Sequence, residues 1–349
     1  MKASWSIRLL GDVCEIRHGA NHKEVEAPDG RFPIYGSGGP MGFAKEYRCP
    51  AKTVLIGRKG TLNKPILVQT PCWNIDTAYG LIPSETIHSS YLFYFCLSTD
   101  FTALNPYSGR PSTTAASIAK IPIPLPPLSE QKRIVGILDA AFKKIDAVQR
   151  NAERNLANAK ELFQRVLDEE MTNFTSFLHL RDVCSITTGK LNANAAVAGG
   201  KYPFFTCSKE ISQIDSFSFD CEALLLAGNN ASGDFNVKYY NGKFNAYQRT
   251  YVIHNFQNYR PELIFHILVH NLASLKNVSL GVNTRYLKIG MIESIILPKI
   301  PLEQQMVLAK RLSRVCDLCN SYCEKYSAIK RNCLYVKQQI LNRAFNGEL

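Results

Sequence analysis

The feature that most constrains this chain is that it contains the same plan twice. Leu10-Gly11-Asp12-Val13-Cys14-Glu15-Ile16 returns as Leu180-Arg181-Asp182-Val183-Cys184-Ser185-Ile186, an offset of 170 residues. Gly19 returns as Gly189, and Phe32-Pro33-Ile34-Tyr35 as Tyr202-Pro203-Phe204-Phe205. Trp73-Asn74 aligns with Phe244-Asn245, and Pro124 through Gln131 aligns with Pro298 through Gln305 at an offset of 174. An offset that drifts this slowly is what two copies with small loop changes produce, so one supersecondary plan is built twice. In 349 residues that means two domains.

Each copy has two parts. The first consists of short apolar runs broken by Gly, Pro, Asn and Ser. Thr53 through Gly57 and Ala223 through Gly228 read as strands ending in glycine turns. Leu92 through Leu97 and Leu263 through Leu268 fit a buried helix or a buried strand equally, since periodicity does not separate the two. The second part is a long helix. Pro126-Pro127 closes the first domain, Ser129 stands where an N-cap would, and Glu130 falls in the first turn.

From Ile134 the helix carries a stripe at Leu138, Ala141, Ile145, Val148, Ala152, Asn155, Ala159, Leu162 and Val166. The second copy repeats it at Leu308, Leu312, Val315, Cys319, Tyr322, Tyr326, Ile329, Cys333, Val336 and Ile340, each member 174 residues further on. Alternating steps of four and three are the seam of a coiled coil, and each stripe is the natural partner of the other. Asn155, the one polar member of the first stripe, suits either a register-setting contact or an exposed end. The expected fold class is therefore α+β, with two pseudo-repeated α/β domains separated by a pair of long antiparallel coiled-coil helices. The domains are residues 1–128 and 172–301, and the helices are 129–171 and 302–349. Helices of roughly 50 Å, at ~1.5 Å per residue, would hold the domains at opposite ends.

Charge narrows the class of partner. The chain has 41 Lys and Arg against 29 Asp and Glu, a net charge of +12. The excess lies on 1–128, 172–301 and 302–349, whereas 129–171 is balanced. Mildly basic folded surfaces suit a polyanion, and they equally suit plain solubility. No run of 18 apolar residues is present, so no membrane-spanning helix is expected. Met1 through Arg8 lacks the apolar stretch of a signal peptide. Eleven Cys on such a chain point to free thiols in the cytoplasm rather than to a disulfide framework.

The motifs of catalysis are missing. There is no phosphate-binding Gly-rich loop ending in Lys-Ser or Lys-Thr. Asn105-Pro106-Tyr107 approaches the catalytic segment of an adenine methylase but lacks its second proline. Cys316, Cys319 and Cys323 share two helical turns, yet Cys319 lies on the stripe and no further ligand pair accompanies them, so a buried apolar role is expected and no metal. No cofactor and no catalytic residue are assigned.

Two segments add a resemblance. Ile121 through Val135, containing Pro-Leu-Pro-Pro-Leu-Ser-Glu-Gln, resembles the start of the central helix in specificity subunits of type I restriction-modification systems. Gln339 through Leu349 resembles the C-terminal signature of that family, and the order domain, helix, domain, helix is also that family's. The resemblance implies a non-catalytic subunit in which each domain reads one half of a bipartite target on double-stranded DNA. It also implies that the helices act as a ruler and as docking surface for two DNA adenine methyltransferase subunits, with restriction and translocase subunits joining the full complex. A coiled-coil scaffold or inhibitor of the same fold without DNA binding is the other reading, and a stand-alone modification or cleavage enzyme is a third.

DNA contact needs cations and small donors on shaped loops. In the first copy Gly57 through Lys64 supplies Arg58, Lys59, Thr61 and Lys64, and the loop before the helix supplies Arg110 and Thr113. In the second copy the matching turn supplies Asn229 and Asn230, and the matching pre-helix loop supplies Asn283 and Arg285. Arg249, beside Gln248, is a weaker candidate. Each is weighed against an ordinary solvated turn, since Gly, Asn and Ser make turns in any case.

Overall fold

The computed structural model describes residues 5–104 and 111–349, apart from the side chain of Lys160. The chain forms two compact units, one of Met1–Ala152 with Ala328–Leu349 and one of Glu153–Ser327. Each long helix therefore contributes one stretch to each unit.

In the first unit, β1 (Ser6–Leu9), α1 (Leu10–Val13) and β2 (Cys14–His18) are followed by β3 (Phe32–Gly36), β4 (Gly39–Ala44), β5 (Val54–Gly57), β6 (Ile66–Leu67), β7 (Trp73–Asn74) and β8 (Ala78–Pro83). Then come α2 (Ser89–Ser98), α3 (Ala115–Ala119), β9 (Pro122–Leu125) and the start of α4 (Leu128–Thr172). The run Leu92 through Leu97 is thus helical. Strands order as β2-β8-β5-β6 in one sheet and β4-β3-β7 in another, while β1 pairs with β9. β5 is buried along its whole length, which is why Val54-Leu55-Ile56 reads as a continuous apolar run.

The second unit repeats this plan. Its elements are β10 (Phe177–His179), β11 (Ser185–Thr188), β12 (Tyr202–Phe205), β13 (Ser212–Ile214), β14 (Phe219–Ala227), β15 (Asn229–Asn230), β16 (Val237–Ala246) and β17 (Thr250–His254). They continue with α5 (Pro261–Val278), β18 (Arg285–Tyr286), α6 (Ile289–Glu293), β19 (Ile296–Pro298) and α7 (Leu302–Phe345). The sheet runs β11-β17-β14-β16-β12-β13, and β10 pairs with β19 as β1 pairs with β9. One ten-residue strand, β16, serves where the first copy uses β6 and β7, so two sheets fuse into one. Local chemistry repeats too. Asp12 accepts from the Leu9 N–H at 3.3 Å, and Asp182 from the His179 N–H at 2.9 Å.

The long helices run antiparallel within each unit. In the first, Ile134, Val135 and Leu138 of α4 share a core with Leu341, Ala344 and Phe345 of α7. Lys337 pairs with Asp146, and Arg133 donates to the carbonyl oxygen of Leu349 at 2.8 Å. The Phe345 ring packs edge-on against Tyr91 at 5.1 Å and Phe95 at 5.4 Å. In the second unit Phe163 and Leu167 meet Leu308, Leu312 and Cys319, and Arg311 pairs with Glu170.

Two expectations about the helices need correction. α4 begins at Leu128, so Ser129 is already helical. The Pro127 carbonyl accepts from the N–H groups of Glu130 and Gln131 at 2.9 and 3.0 Å, taking the place of a side-chain cap. The buried face also follows the four-three seam only in part. Leu138 and Leu312 are buried and Ile145, Val315 and Ile329 half-buried, but Val148 and Leu162 are 50% and 40% exposed, and Tyr322 and Val336 are 39% and 42% exposed. The stripe members Ala152, Ala159, Cys319 and Cys333 are buried as expected, but toward the far end of each helix the burial passes to Phe163 and Leu167 on α4 and to Leu341 and Ala344 on α7, all off the stripe. Asn155 is exposed. The cause is helical pitch. A straight helix turns 3.6 residues at a time and slips ~20° per heptad against a 3.5 repeat, so after about four heptads the inward face has moved on by nearly one residue.

Candidate nucleic-acid interface

In each unit the loop that follows a buried strand is held against the loop that precedes a short helix. In the first unit this begins at Gly57, the last residue of β5. A Cβ there would stand 2.0 Å from the Thr61 carbonyl oxygen, so only glycine lets the loop fold back so tightly. Lys59 then bridges antiparallel to Ser112, and the Gly60 N–H donates to the Pro111 carbonyl at 3.0 Å. In the second unit the equivalent join is β15 on β18, Asn229 opposite Tyr286 and Asn230 opposite Arg285.

Other loops close on the same place. In the first unit the β3–β4 turn enters through Ser37, whose hydroxyl donates to the Lys59 carbonyl at 2.8 Å. The Arg58 N–H donates to the Thr77 carbonyl at 2.8 Å, and its guanidinium donates to the Asp76 carbonyl at 3.2 Å, about 6.0 Å above the Tyr79 ring. Ser37, Asp76 and Thr77 carry no signal beyond ordinary turn chemistry, and sequence reading missed them. In the second unit Lys238 donates to the Ser208 carbonyl and to Asn236, and burial pushes its ammonium below the ordinary lysine range.

The candidate residues separate on this geometry. Lys59 and Thr61 are exposed, Arg58 is half-buried, and exposed Lys64 reaches the Gly38 carbonyl at 3.2 Å. These four lie on one loop. Arg110 lies outside the described residues, as does Asn105-Pro106-Tyr107. Thr113 is only 4% exposed and donates its hydroxyl to the Gly57 carbonyl at 3.1 Å, so it clamps the loop rather than facing a ligand.

In the second unit, the side-chain Oδ1 of Asn230 accepts from the Ser232 N–H and hydroxyl, both at 2.9 Å, and from the Asp234 N–H at 3.2 Å, which consumes it in its own turn. Arg285 donates to the Lys276 carbonyl at 3.2 Å and to the Ser279 hydroxyl at 3.3 Å, and so secures the C-terminal end of α5. Lys276 pairs with Asp234 at 2.9 Å and holds that carboxyl below its usual range. Asn229 is half-buried and Asn283 exposed; Arg249 is exposed on the neighbouring β16–β17 turn. The cations are therefore concentrated at the tip of the first unit's loop, while the second unit's tip is polar and apolar.

Among the described residues no group of three His, Cys, Asp or Glu side chains is placed to hold a metal ion, and no helix is long and apolar enough to cross a membrane. Cys319 is buried on α7, and Cys316 accepts a long hydrogen bond from Asn320 at 3.6 Å.

Comparison with known proteins bears on what this duplicated architecture is. The family described as type I restriction modification DNA specificity domain matches residues 2–154 and again 175–330, one match per copy. The type I restriction enzyme EcoDI specificity subunit of Escherichia coli is 37% identical over 172 residues, which are 49% of this chain and 38% of that subunit. The chain thus spans well under two thirds of that curated relative in the matched region. Two solved structures share the fold. One is a chain from a study of complex assembly and conformational transition of the type I R-M system, with TM-score 0.78, 18% identity, and 100% of this chain and 99% of that chain covered. The other is the HsdS subunit from Thermoanaerobacter tengcongensis, with TM-score 0.54, 17% identity, and 100% and 98% covered. With a family match on both copies and a shared fold along the whole length, the chain belongs to the type I restriction-modification DNA specificity family.

Proposed function

We propose that this chain is the sequence-recognition subunit of a type I restriction-modification complex. Each unit reads one half of a bipartite target on double-stranded DNA, and the long helices carry two DNA adenine methyltransferase subunits. Restriction and translocase subunits join the same assembly, in the cytoplasm. The chain supplies recognition and no bond chemistry. The observation that carries this reading is the repeated juxtaposition of two loops, Lys59 on Ser112 and Asn229-Asn230 on Arg285-Tyr286, each dressed with different side chains. One scaffold with two different surfaces is what reading two different half-sites requires. Lys59, exposed at the loop tip, is the phosphate contact, and Arg58, held over Tyr79, positions it.

A gel-shift titration with the methyltransferase subunit present tests this. Sequence-selective binding that weakens steeply with salt is expected, because each phosphate contact releases counterions. Lys59→Ala should weaken binding to all duplexes alike and lower the slope of log affinity against log salt by about 1, with assembly intact. A complex that assembles normally but shows no selective, salt-sensitive binding would favour the scaffold reading.

A further inference from the structure

The pre-helix loop of the second unit ends in an exposed apolar tip. Val282 is 94% exposed, and Val278, Leu280, Tyr286 and Ile289 around it are 55%, 37%, 37% and 42% exposed. Isolated exposed apolar residues need no explanation, but five within twelve positions form a patch, and patches mark contact surfaces. This one is also built to hold its shape. Leu280 and Tyr286 exchange backbone hydrogen bonds at 3.1 and 2.8 Å. Gly281 has φ +95°, and a Cβ on it would stand 2.2 Å from the Thr284 carbonyl oxygen. Below the tip, Arg285 is fixed to the end of α5, and the Leu287 N–H donates to the Gly228 carbonyl at 2.8 Å. The turn is a rigid finger whose outermost side chains are Val282, Asn283 and Thr284, all exposed.

We propose that Val282 is a specificity-determining residue that reads the C5-methyl group of a thymine in the half-site of the second unit. The inference rests on the DNA-reading function above and goes beyond it by naming the residue and the group read. On the major-groove edge of the bases the thymine methyl is the one apolar feature, and an apolar side chain is its proper partner. Asn283, next along the finger, has the paired donor and acceptor that match an adenine edge. Exposed Arg249 and Lys288 on flanking segments supply the positive charge that duplex phosphates require. With Arg285 and Asn230 committed to the fold, Val282, Asn283 and Thr284 are what the finger offers a base edge, and Val282 is the wholly apolar one among them.

The test uses the complex of this chain with its methyltransferase and the duplex sequence which that complex methylates in genomic DNA. Each thymine of the half-site is replaced in turn by deoxyuridine, which removes only the methyl. Wild type should lose affinity about fourfold at one thymine, the factor that corresponds to burying a single methyl-sized group. Val282→Ala should bind the thymine duplex about fourfold more weakly than wild type and no longer distinguish thymine from deoxyuridine there. Its melting temperature should not change, because the side chain touches solvent. Val282→Ala that binds like wild type overturns the proposal, and so does a weaker variant that keeps the full thymine preference, as an apolar wedge between bases would. A wild-type complex with no sequence-selective binding overturns instead the DNA-reading function on which the proposal stands.

Discussion

Two buried glutamines, Gln131 and Gln305, tie each long helix to the loop in front of it. The Gln131 amide nitrogen donates to the carbonyls of Thr86 and Pro126 at 3.0 and 2.9 Å, and its oxygen accepts from the His88 N–H at 2.8 Å. Gln305 donates to the carbonyls of Asn258 and Ile300 at 3.2 and 2.9 Å and accepts from the Arg260 N–H at 2.8 Å. Only a side chain with two donors and an acceptor in one plane satisfies all three groups. Both residues stood in the repeated motif, but nothing in their type or spacing announced this role, since a glutamine in a first helical turn is ordinarily solvated. Gln131→Leu keeps the shape and strands an N–H and two carbonyls. Unfolding in urea should show a loss on the order of 3 kcal/mol, as unmade buried hydrogen bonds cost. Gln131→Glu should be no better, because a carboxylate cannot donate to the two carbonyls. A loss below ~0.5 kcal/mol for both variants would mean that the loop rearranges around the site.

At the scale of the element, the helices show both what is legible in sequence and where legibility stops. Their existence and partnership follow from apolar spacing, which survives in the sequence whatever the neighbours are. The inward face at a given residue depends on pitch, and pitch is set by packing. A four-three ladder and a 3.6-residue turn agree at Leu138 and part company by Leu162. Substitution separates them. Leu138→Asp and Leu312→Asp remove fully buried side chains and should cost several kcal/mol or prevent folding, and Phe163→Ala should cost about 3–5 kcal/mol. Leu162→Asp and Val148→Asp, on half-exposed positions, should cost under ~1 kcal/mol. If Leu162→Asp proved as damaging as Phe163→Ala in thermal melts, the face would follow the heptad after all. The strands divide in the same way. β5 and β14 were readable as buried apolar runs, whereas the two-residue pairs that build the interface, such as β15 with β18, are too short to leave a pattern.

For the molecule as a whole, duplication gives two units of one plan whose interiors are not equivalent, and pH is a probe of the difference. Tyr94 of α2 and His266 of α5 occupy matching places, six residues after His88 and Arg260, the residues whose N–H groups the two glutamines accept. Tyr94 donates to Asp139 at 2.6 Å. His266 lies between the rings of Phe163 and Phe265, its Nδ1 buried without a hydrogen-bond partner among the described residues. Burial pushes its imidazole below the ordinary 6.5, and Asp317 offsets this only in part. His270, against Gln164 and Asp168, and His254 are lowered by burial as well, and in the first unit so is His88. A lowered imidazole is neutral in the fold, while the unfolded chain takes up its proton near 6.5. Stability is therefore complete above that pH and declines as pH falls through and below it. The expected result is a lower urea midpoint at pH 5.5 than at pH 7.5, with amide protection, taken relative to the intrinsic exchange rate at each pH, falling more in residues 153–327 than elsewhere. His266→Phe removes one proton-binding site from the unfolded reference and leaves no unpaired ring nitrogen in an aromatic setting. It should raise the midpoint at pH 5.5 more than at pH 7.5 and so flatten the dependence. Equal shifts at the two pH values would show that the proton is taken up elsewhere and that this imidazole is a spectator.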